Sequence, residues 1–185
     1  IQRRTIRQYT YNSAAHVLGD IAEVSKKDIE ADDYYVRGDF IGKQGIERSY
    51  EEQLRGEKGT EILLRDARGR IQGRYMDGAL DKKPVAGKNL KLGIDIELQQ
   101  LAERLLEGKI GSVVAIEPST GEILCMASAP TFDPRLMVGR QRGKNHLDLA
   151  RDTWKPLLNR SIMGQFPPGS TFKILTCYSA ALDAG

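Results

Sequence analysis

The segment that most constrains this chain lies near its C-terminal end and reads Phe166-Pro167-Pro168-Gly169-Ser170-Thr171-Phe172-Lys173. Two prolines and a glycine can turn the backbone tightly and keep a helix from running into the segment, whereas serine favours helix starts. We therefore expect a helix to begin at or beside Ser170. The residues after it leave little polar face, which predicts a central helix buried on nearly all sides. Its apolar residues are Phe172, Ile174, Leu175, Cys177, Tyr178, Ala180, Ala181 and Leu182.

Ser170 and Lys173 have the residue types and the spacing for nucleophilic catalysis. Residues three apart on a helix share one face. A serine hydroxyl needs a neighbouring base, and a lysine can serve when burial or nearby cations lower its pKa. Backbone amides at the helix start could stabilise an oxyanion. The alternative is that Ser-x-x-Lys arises by chance and that Lys173 is a solvated charge, although an apolar run is where a solvated charge is least expected.

Three stretches, in the same order along the chain, resemble class B penicillin-binding proteins. The stretch from Asn159 to Lys173 resembles their active-site serine segment, which carries the Ser-x-x-Lys motif. Gly42 to Gly56 resembles the pedestal of elongation- and division-type members, and Ser112 to Pro134 resembles the opening of the transpeptidase domain. The resemblance is greatest to the elongation type. It implies an α+β fold, with a pedestal domain followed by the N-terminal part of a serine transpeptidase domain of the penicillin-binding and β-lactamase-like kind.

A polar segment from Asp81 to Lys88 interrupts the periodic pattern with Pro84, Gly87 and three lysines. We expect the domain boundary there. Residues 1–87 would form the non-catalytic pedestal, incomplete at its N-terminus, and residues 88–185 a truncated transpeptidase domain.

Local patterns predict the elements before this break. Residues 1–10 are expected to form an edge strand or an arm, and His16 a packed side chain in a short apolar patch. Ser25 to Asp28 is a capping-box-like start for a helix that runs toward Tyr35. Gly42 to Gly56 predicts a turn, a helix and a stop, and residues 60–75 predict a hairpin.

Beyond the break the pattern changes. Alternating apolar residues from Leu90 to Ile94 predict a strand, and Asp95 can cap the amphipathic helix that follows. Ser112–Glu117 and Glu122–Ser128 predict a hairpin, and because both strands are almost wholly apolar we expect them to be covered on both faces. Residues 134–164 predict an extended loop region with short helical turns.

Composition and spacing argue against several classes of function. The chain has 28 Lys and Arg against 25 Asp and Glu, so its charge does not demand a nucleic-acid partner. The glycines near Gly42 lack the Rossmann and Walker spacings, so nucleotide binding is not expected. His16 and His146 lie far apart without clustered ligands, which argues against a metal site. Cys125 and Cys177 read as small buried thiols, although a bridge between them stays open.

The resemblance to penicillin-binding proteins implies the chemistry. Ser170 would attack the penultimate D-Ala carbonyl of a peptidoglycan stem peptide and form an acyl-enzyme, and β-lactam antibiotics would acylate the same oxygen. Lys173 would be the leading candidate for the base, and the backbone N–H of Ser170 one oxyanion donor. No metal or organic cofactor is required. The setting would be cell-wall elongation at the periplasmic face of the bacterial inner membrane, with other elongation proteins as partners and the membrane anchor absent from this chain.

The departures from the family pattern predict that these 185 residues alone are inactive. The Ser-x-Asn and Lys-Thr-Gly motifs, which complete the site in this family, are absent from the chain. We also expect self-association or disorder from about Thr131 onward when the chain is studied alone. The alternative is a non-catalytic interaction or dimerisation scaffold that uses residues 42–75 as its partner surface. A Ser-Lys peptidase of another fold is disfavoured, because Ser170 is predicted to start a buried helix after a hairpin.

Overall fold

The computed structural model describes residues 7–183, which form an α+β structure of short helices and three two-stranded antiparallel sheets. The arm or edge strand predicted over residues 1–10 lies mostly outside the described residues. We refer to residues 7–88 as the N-terminal region and to residues 89–183 as the C-terminal region.

The N-terminal region contains four helices and four strands. They are α1 (Ala15–Leu18), β1 (Ile21–Glu23), α2 (Lys26–Ala31), β2 (Phe40–Gly42), α3 (Gly45–Ser49), α4 (Glu51–Arg55), β3 (Leu63–Arg65) and β4 (Ile71–Arg74). Strand β1 pairs with β2, placing Ile21 opposite Gly42, and β3 pairs with β4 in the predicted hairpin. A turn, Tyr75–Gly78, follows β4, and within it Met76 and Asp77 have positive φ values of 46° and 52°.

The predicted helix signals in this region are confirmed, with shorter helices than expected. Ser25 and Asp28 form a reciprocal capping box at the start of α2, which ends at Ala31 rather than near Tyr35. The helix predicted after Gly42 is interrupted at Tyr50 into α3 and α4. Gly56 then adopts a positive φ of 66°, as its predicted role of helix stop requires.

The polar segment 81–88 is not a free linker. Lys82 pairs with Thr60 and Val85 with Glu57 in isolated antiparallel bridges, and the backbone N–H of Lys88 donates to the carbonyl of Gln53 over 2.7 Å. The segment therefore runs along the side of the N-terminal region and is held there by backbone hydrogen bonds.

The C-terminal region is built on a hairpin covered by one helix. Its elements are α5 (Ile96–Leu105), β5 (Gly111–Ile116), β6 (Ile123–Ala129), α6 (Arg142–Arg151), α7 (Arg160–Met163) and α8 (Lys173–Asp183), with 3-10 turns at Pro134–Met137 and Gly169–Phe172. Asp95 caps α5 by accepting from the amides of Glu97 and Leu98, as predicted. The core between α5 and β6 centres on Ala102, Cys125 and Ala127.

Two predictions for the start of this region are wrong in the structure. Residues 90–94 form no strand; Asp95 donates one backbone hydrogen bond to Leu124, and no ladder develops. Strand β5 is not covered on both faces, since its valines Val113 and Val114 are exposed at the edge of a two-stranded sheet.

Three further predictions, for the end of the chain, are also wrong. Residues 134–164 include the ten-residue helix α6 as well as the short turns that were expected. Helix α8 is not buried on nearly all sides: it buries none of its residues, and Cys177 is exposed rather than buried. The prediction of a buried thiol is confirmed for Cys125, and both cysteines are free.

Polar contacts at three places join the two regions. Glu103 on α5 accepts from the Ser13 hydroxyl at 2.7 Å and from the Ala14 amide at 2.8 Å, where α1 begins. Asp20, which is buried, pairs with Arg142 of α6 at 2.6 Å. His16 lies 2.7 Å from the carbonyl oxygen of Pro156. Residues 13–20 therefore contact the C-terminal region, while Arg7 and Tyr9 bind Glu47 of their own region.

Candidate active site

Ser170 and Lys173 lie on one continuous helical stretch, in agreement with the prediction that a helix begins beside Ser170. Ser170 sits in the 3-10 turn Gly169–Phe172, and Lys173 is the first residue of α8. The backbone N–H of Lys173 donates to the carbonyl of Ser170. Gly169 has φ of 58°, which a residue with a side chain rarely adopts. Glycine at this position therefore allows the sharp turn from the two prolines into the helix.

The side chains of this pair are not assembled into a closed site within residues 7–183. Both residues are exposed, and no hydrogen bond joins the Ser170 hydroxyl to the Lys173 ammonium in the described part of the chain. The large apolar side chains around them, Phe172, Ile174, Leu175, Tyr178 and Leu182, are each more than half exposed.

The chain that leads to Ser170 is fixed at α7, ten residues earlier. Asn159 caps this helix by accepting from the Ser161 amide at 3.1 Å. The Ser161 hydroxyl donates to the carbonyl of Ala127 at 3.0 Å, and the Arg160 amide donates to the Ser128 hydroxyl at 2.9 Å. Because Ala127 and Ser128 belong to β6, the start of α7 is bound directly to the central hairpin.

Arg160 is buried, and its role was not predictable from the sequence. Its side chain is directed back over the preceding turn, residues 154–158, and donates to three backbone carbonyls. These lie at Trp154 (2.6 Å), Lys155 (3.0 Å) and Leu158 (3.4 Å). The sequence signal for this role was an arginine that follows the capping residue Asn159. Sequence alone could not show that the arginine face of this short helix is buried and that the face with Ile162 and Met163 is exposed.

The turn at residues 154–158 also contacts the N-terminal region. A ring nitrogen of His16, Nε2, lies 2.7 Å from the Pro156 carbonyl oxygen, and its ring makes an edge contact with Phe132 at 5.4 Å. Burial lowers the pKa of His16 below its ordinary value, so the ring is neutral and Nε2–H is the donor. The prediction that His16 is a packed side chain is confirmed.

A cavity of about 180 Å³ lies between the two regions. Its lining includes His16, Asp20, Phe132, His146 and Met163, but neither Ser170 nor Lys173. Among the residues that the structure describes, no group of three or more His, Cys, Asp or Glu side chains is arranged to hold a metal ion. None of the helices within residues 7–183 is both long and apolar enough to cross a bilayer.

Two family descriptions match the chain. Residues 1–92 match the penicillin-binding protein dimerisation domain, and residues 111–185 match the penicillin-binding protein transpeptidase domain.

Curated relatives agree with these family matches. The chain is 38% identical to peptidoglycan D,D-transpeptidase MrdA of Acinetobacter baumannii over 94% of its length, and 38% identical to MrdA of Escherichia coli K12 over 97%. It is 37% identical to peptidoglycan D,D-transpeptidase PbpA of Mycolicibacterium smegmatis over 70% of its length. The chain spans only 26%, 29% and 28% of these relatives.

Solved structures agree with the sequence comparisons. Pseudomonas aeruginosa PBP2 in complex with WCK 5153 superposes with a TM-score of 0.75 at 36% identity, covering 97% of this chain and 36% of that one. Helicobacter pylori PBP2 in complex with MreC superposes with a TM-score of 0.69 at 30% identity, covering 88% and 30%. The chain therefore belongs to the penicillin-binding proteins, with a dimerisation region followed by the N-terminal part of a transpeptidase domain, and is similar to the PBP2 type.

Proposed function

We propose that this chain is part of a peptidoglycan D,D-transpeptidase that cross-links stem peptides during cell-wall elongation, with Ser170 as the nucleophile. The observation that carries the proposal is the match to the transpeptidase domain over residues 111–185, which includes a serine and a lysine three apart at the start of a helix. Relatives named peptidoglycan D,D-transpeptidase support the same reaction.

The reaction is acyl transfer in two steps. The Ser170 oxygen bonds to the carbonyl carbon of the penultimate D-Ala, the C–N bond to the terminal D-Ala breaks, and the serine proton passes through the base to the departing amine. An amine of a second stem peptide then attacks the ester carbonyl, forms the cross-linking amide and returns the proton to Ser170. A β-lactam would acylate the same oxygen as its ring C–N bond opens.

In this proposal Lys173 is the base of acylation and the Ser170 amide is one oxyanion donor. A lysine accepts a proton at neutral pH only when its ammonium is desolvated or lies near other cations. Lys173 is exposed within the described residues, so its activation would come from further parts of a transpeptidase domain that cover α8. For this reason we expect the 185 residues alone to be inactive or nearly so.

We place the domain boundary at residues 87 and 88. The backbone contacts change just after this boundary, since Lys88 bonds to Gln53 of the N-terminal region and Asp95 bonds to Leu124 of β6. We further propose a location at the periplasmic face of the inner membrane. An elongation protein of the MreC kind is a proposed partner, because the similar Helicobacter pylori PBP2 was solved with MreC.

A non-catalytic scaffold is the second candidate function. The dimerisation-domain match over residues 1–92 favours it, as do the exposed apolar side chains on and near the β3–β4 hairpin. These are Leu64, Ile71, Tyr75, Met76 and Leu80. A pull-down of wall-synthesis proteins with residues 1–87 alone, against the whole chain, would separate the two functions, because an interaction module keeps its partner without Ser170.

The direct test of catalysis is intact-mass analysis of the full-length protein after exposure to penicillin, with Ser170→Ala as the control. We expect one adduct that is lost in the control. A folded full-length protein that forms no adduct would refute the catalytic proposal and favour the scaffold.

A further inference from the structure

In α7 the charged residue is buried and two apolar residues are exposed, which is the reverse of the usual arrangement. Arg160 is 8% exposed, whereas the apolar residues Ile162 and Met163 of the same short helix are 69% and 66% exposed. Burying a charged side chain is costly unless its donors find acceptors. In this structure the acceptors are the three backbone carbonyls of the 154–158 turn. The turn and the helix start are thereby fixed to each other by one side chain.

The geometry of these contacts requires a guanidinium. Nη1 reaches the carbonyls of Lys155 and Leu158 while Nη2 reaches that of Trp154. A planar fork with five N–H donors can hold several acceptors in fixed directions, which the tetrahedral ammonium of lysine cannot do from the same position. The turn needs such support, because Lys155 has a φ of 49° that is unfavourable for a residue with a side chain.

The backbone of Arg160 is tied to β6 through Ser128. The Ser128 hydroxyl accepts from the Arg160 amide at 2.9 Å and donates to the Leu158 carbonyl at 3.1 Å, and Ser128 is 2% exposed. Arg160 and Ser128 therefore hold the same turn from two sides. Together they fix the direction in which the chain leaves the central hairpin.

The segment between α7 and Ser170 is short, and its backbone freedom is restricted at Gly164 and at the two prolines. A Cβ added at Gly164 would lie 2.5 Å from the Arg160 carbonyl oxygen and 2.5 Å from Cε2 of Phe166, so the chain folds closely over the end of α7. Pro167 and Pro168 follow, and their rings fix φ. An error in the orientation of α7 would consequently be carried to Ser170 rather than absorbed by a flexible loop.

We propose that Arg160 is a positioning residue for acylation, supported by Ser128, and that it places the nucleophile by locking the 154–158 turn and α7 to β6. This inference rests on the proposed function, since it assigns the residue to the reaction of Ser170. A displacement of about 1 Å in a reacting group can reduce a rate about 100-fold. Loss of the Arg160 guanidinium should therefore slow acylation while leaving the non-covalent binding of the β-lactam nearly unchanged.

The test compares Arg160→Lys with Arg151→Lys in the full-length protein. Arg151 is the matched control, because it is an exposed arginine at the end of α6. Stopped-flow labelling with a fluorescent penicillin separates the acylation rate constant from the non-covalent Kd. We expect Arg160→Lys to lower the rate constant about 10- to 100-fold with Kd within about twofold of wild type, and Arg151→Lys to change neither. An acylation rate constant within twofold of wild type in Arg160→Lys would overturn the proposal.

Hydrogen–deuterium exchange provides a readout that does not need catalysis. We expect faster exchange in peptides covering residues 160–173 of Arg160→Lys, with the β5–β6 amides unchanged, and the same pattern in Ser128→Ala. Uniformly faster exchange would indicate a general loss of stability and would also overturn the positioning role. If the wild type fails to acylate, the proposed function is wrong, while the exchange pattern still decides whether Arg160 holds the serine segment.

Discussion

Individual buried polar residues hold this chain together where its two regions meet. His16 and Arg160 bind the same five-residue turn, His16 through the Pro156 carbonyl and Arg160 through three further carbonyls. Each of these side chains can carry a charge, and each donates hydrogen bonds to backbone carbonyls. Their contributions can be measured one residue at a time.

The neutral state of His16 predicts a pH dependence of stability. Its folded pKa lies below the ordinary value of 6.5 because burial disfavours the charged ring, an effect that neighbouring Arg160 adds to and Glu103 opposes. Below about pH 6.5 the unfolded chain takes up a proton that the folded chain does not, so the free energy of unfolding falls as pH decreases. The contribution is fully present above that pH. The slope approaches about 1.4 kcal/mol per pH unit when one proton separates the two states.

Urea denaturation between pH 5 and 7.5 would measure this slope. His16→Gln keeps an N–H donor and should lose the His16 part of the pH dependence, whereas His146→Gln should keep it. Identical slopes in the wild type and His16→Gln would contradict the assignment.

The backbone at Lys155 predicts a stabilising substitution. Because φ is 49° at this residue, glycine relieves an unfavourable conformation, and the Lys155 carbonyl that binds Arg160 is retained. We expect Lys155→Gly to raise the free energy of unfolding by up to about 1 kcal/mol. Lys144→Gly within α6 is the matched control and should lower it by about 1 kcal/mol. A thermal melt in which both variants are destabilised would show that Lys155 is not strained.

At the scale of elements, α5 is joined to β6 by the Gln99 side chain, whose amide group pairs with the backbone of β6 as a neighbouring strand would. Gln99 is fully buried; its amide nitrogen donates to the Met126 carbonyl at 3.1 Å and its oxygen accepts from the Met126 amide at 2.8 Å. The same nitrogen donates to Glu103, which binds the start of α1. A helix thus satisfies the free edge of β6 and at the same time carries the N-terminal region.

Replacing Gln99 by leucine should be strongly destabilising. The change leaves both polar groups of Met126 buried without these partners, and each unsatisfied group costs about 1–3 kcal/mol. We expect a loss of several kcal/mol in urea denaturation. Gln100→Leu, on the neighbouring and less buried position, is the control and should change stability little. A small effect in Gln99→Leu would mean that water replaces the glutamine.

Elements whose signals are local could be predicted from sequence, and those stabilised by distant contacts could not. The capping box at Ser25, the cap at Asp95 and the β5–β6 hairpin each rest on a few adjacent residues, and all three formed. Helix α6 was missed because its residues are mostly polar. Its first residue, Arg142, is held by Asp20, some 120 residues away.

The site was predictable only in part for the same reason. The helical stretch from Ser170 to Lys173 follows from the Pro-Pro-Gly segment before it, whereas the anchoring of that segment through Arg160 and Ser128 joins residues 32 apart. The strand predicted at residues 90–94 did not form, because alternation alone does not supply a partner for the backbone.

At the scale of the whole molecule, α8 gives the chain an apolar surface without a cover among residues 7–183. Ile174 is 75% exposed and Leu182 65% exposed, and Tyr178 lies between them. Patches of this kind drive association. We therefore expect this surface to promote association between copies of the chain in solution.

We predict that the 185-residue chain self-associates when studied alone. The double variant Leu175→Lys and Leu182→Lys should shift it toward monomer in sedimentation velocity, with little change in secondary structure, because both side chains are already exposed. The double variant Lys26→Ala and Glu30→Ala on the exposed α2 is the control and should leave the association unchanged. A wild-type chain that remains monomeric at high micromolar concentration would contradict the prediction.

The packing of residues 13–20 against α5, α6 and the 154–158 turn limits how this protein can be recombined with its relatives. A hybrid that takes residues 1–92 from one parent and the remainder from another would pair a foreign residue 16 with Pro156 and a foreign residue 20 with Arg142. Such a hybrid should recover function only when both sides of each contact come from the same parent. We therefore expect the two family-defined halves to be exchanged between relatives successfully only together with the residues that join them.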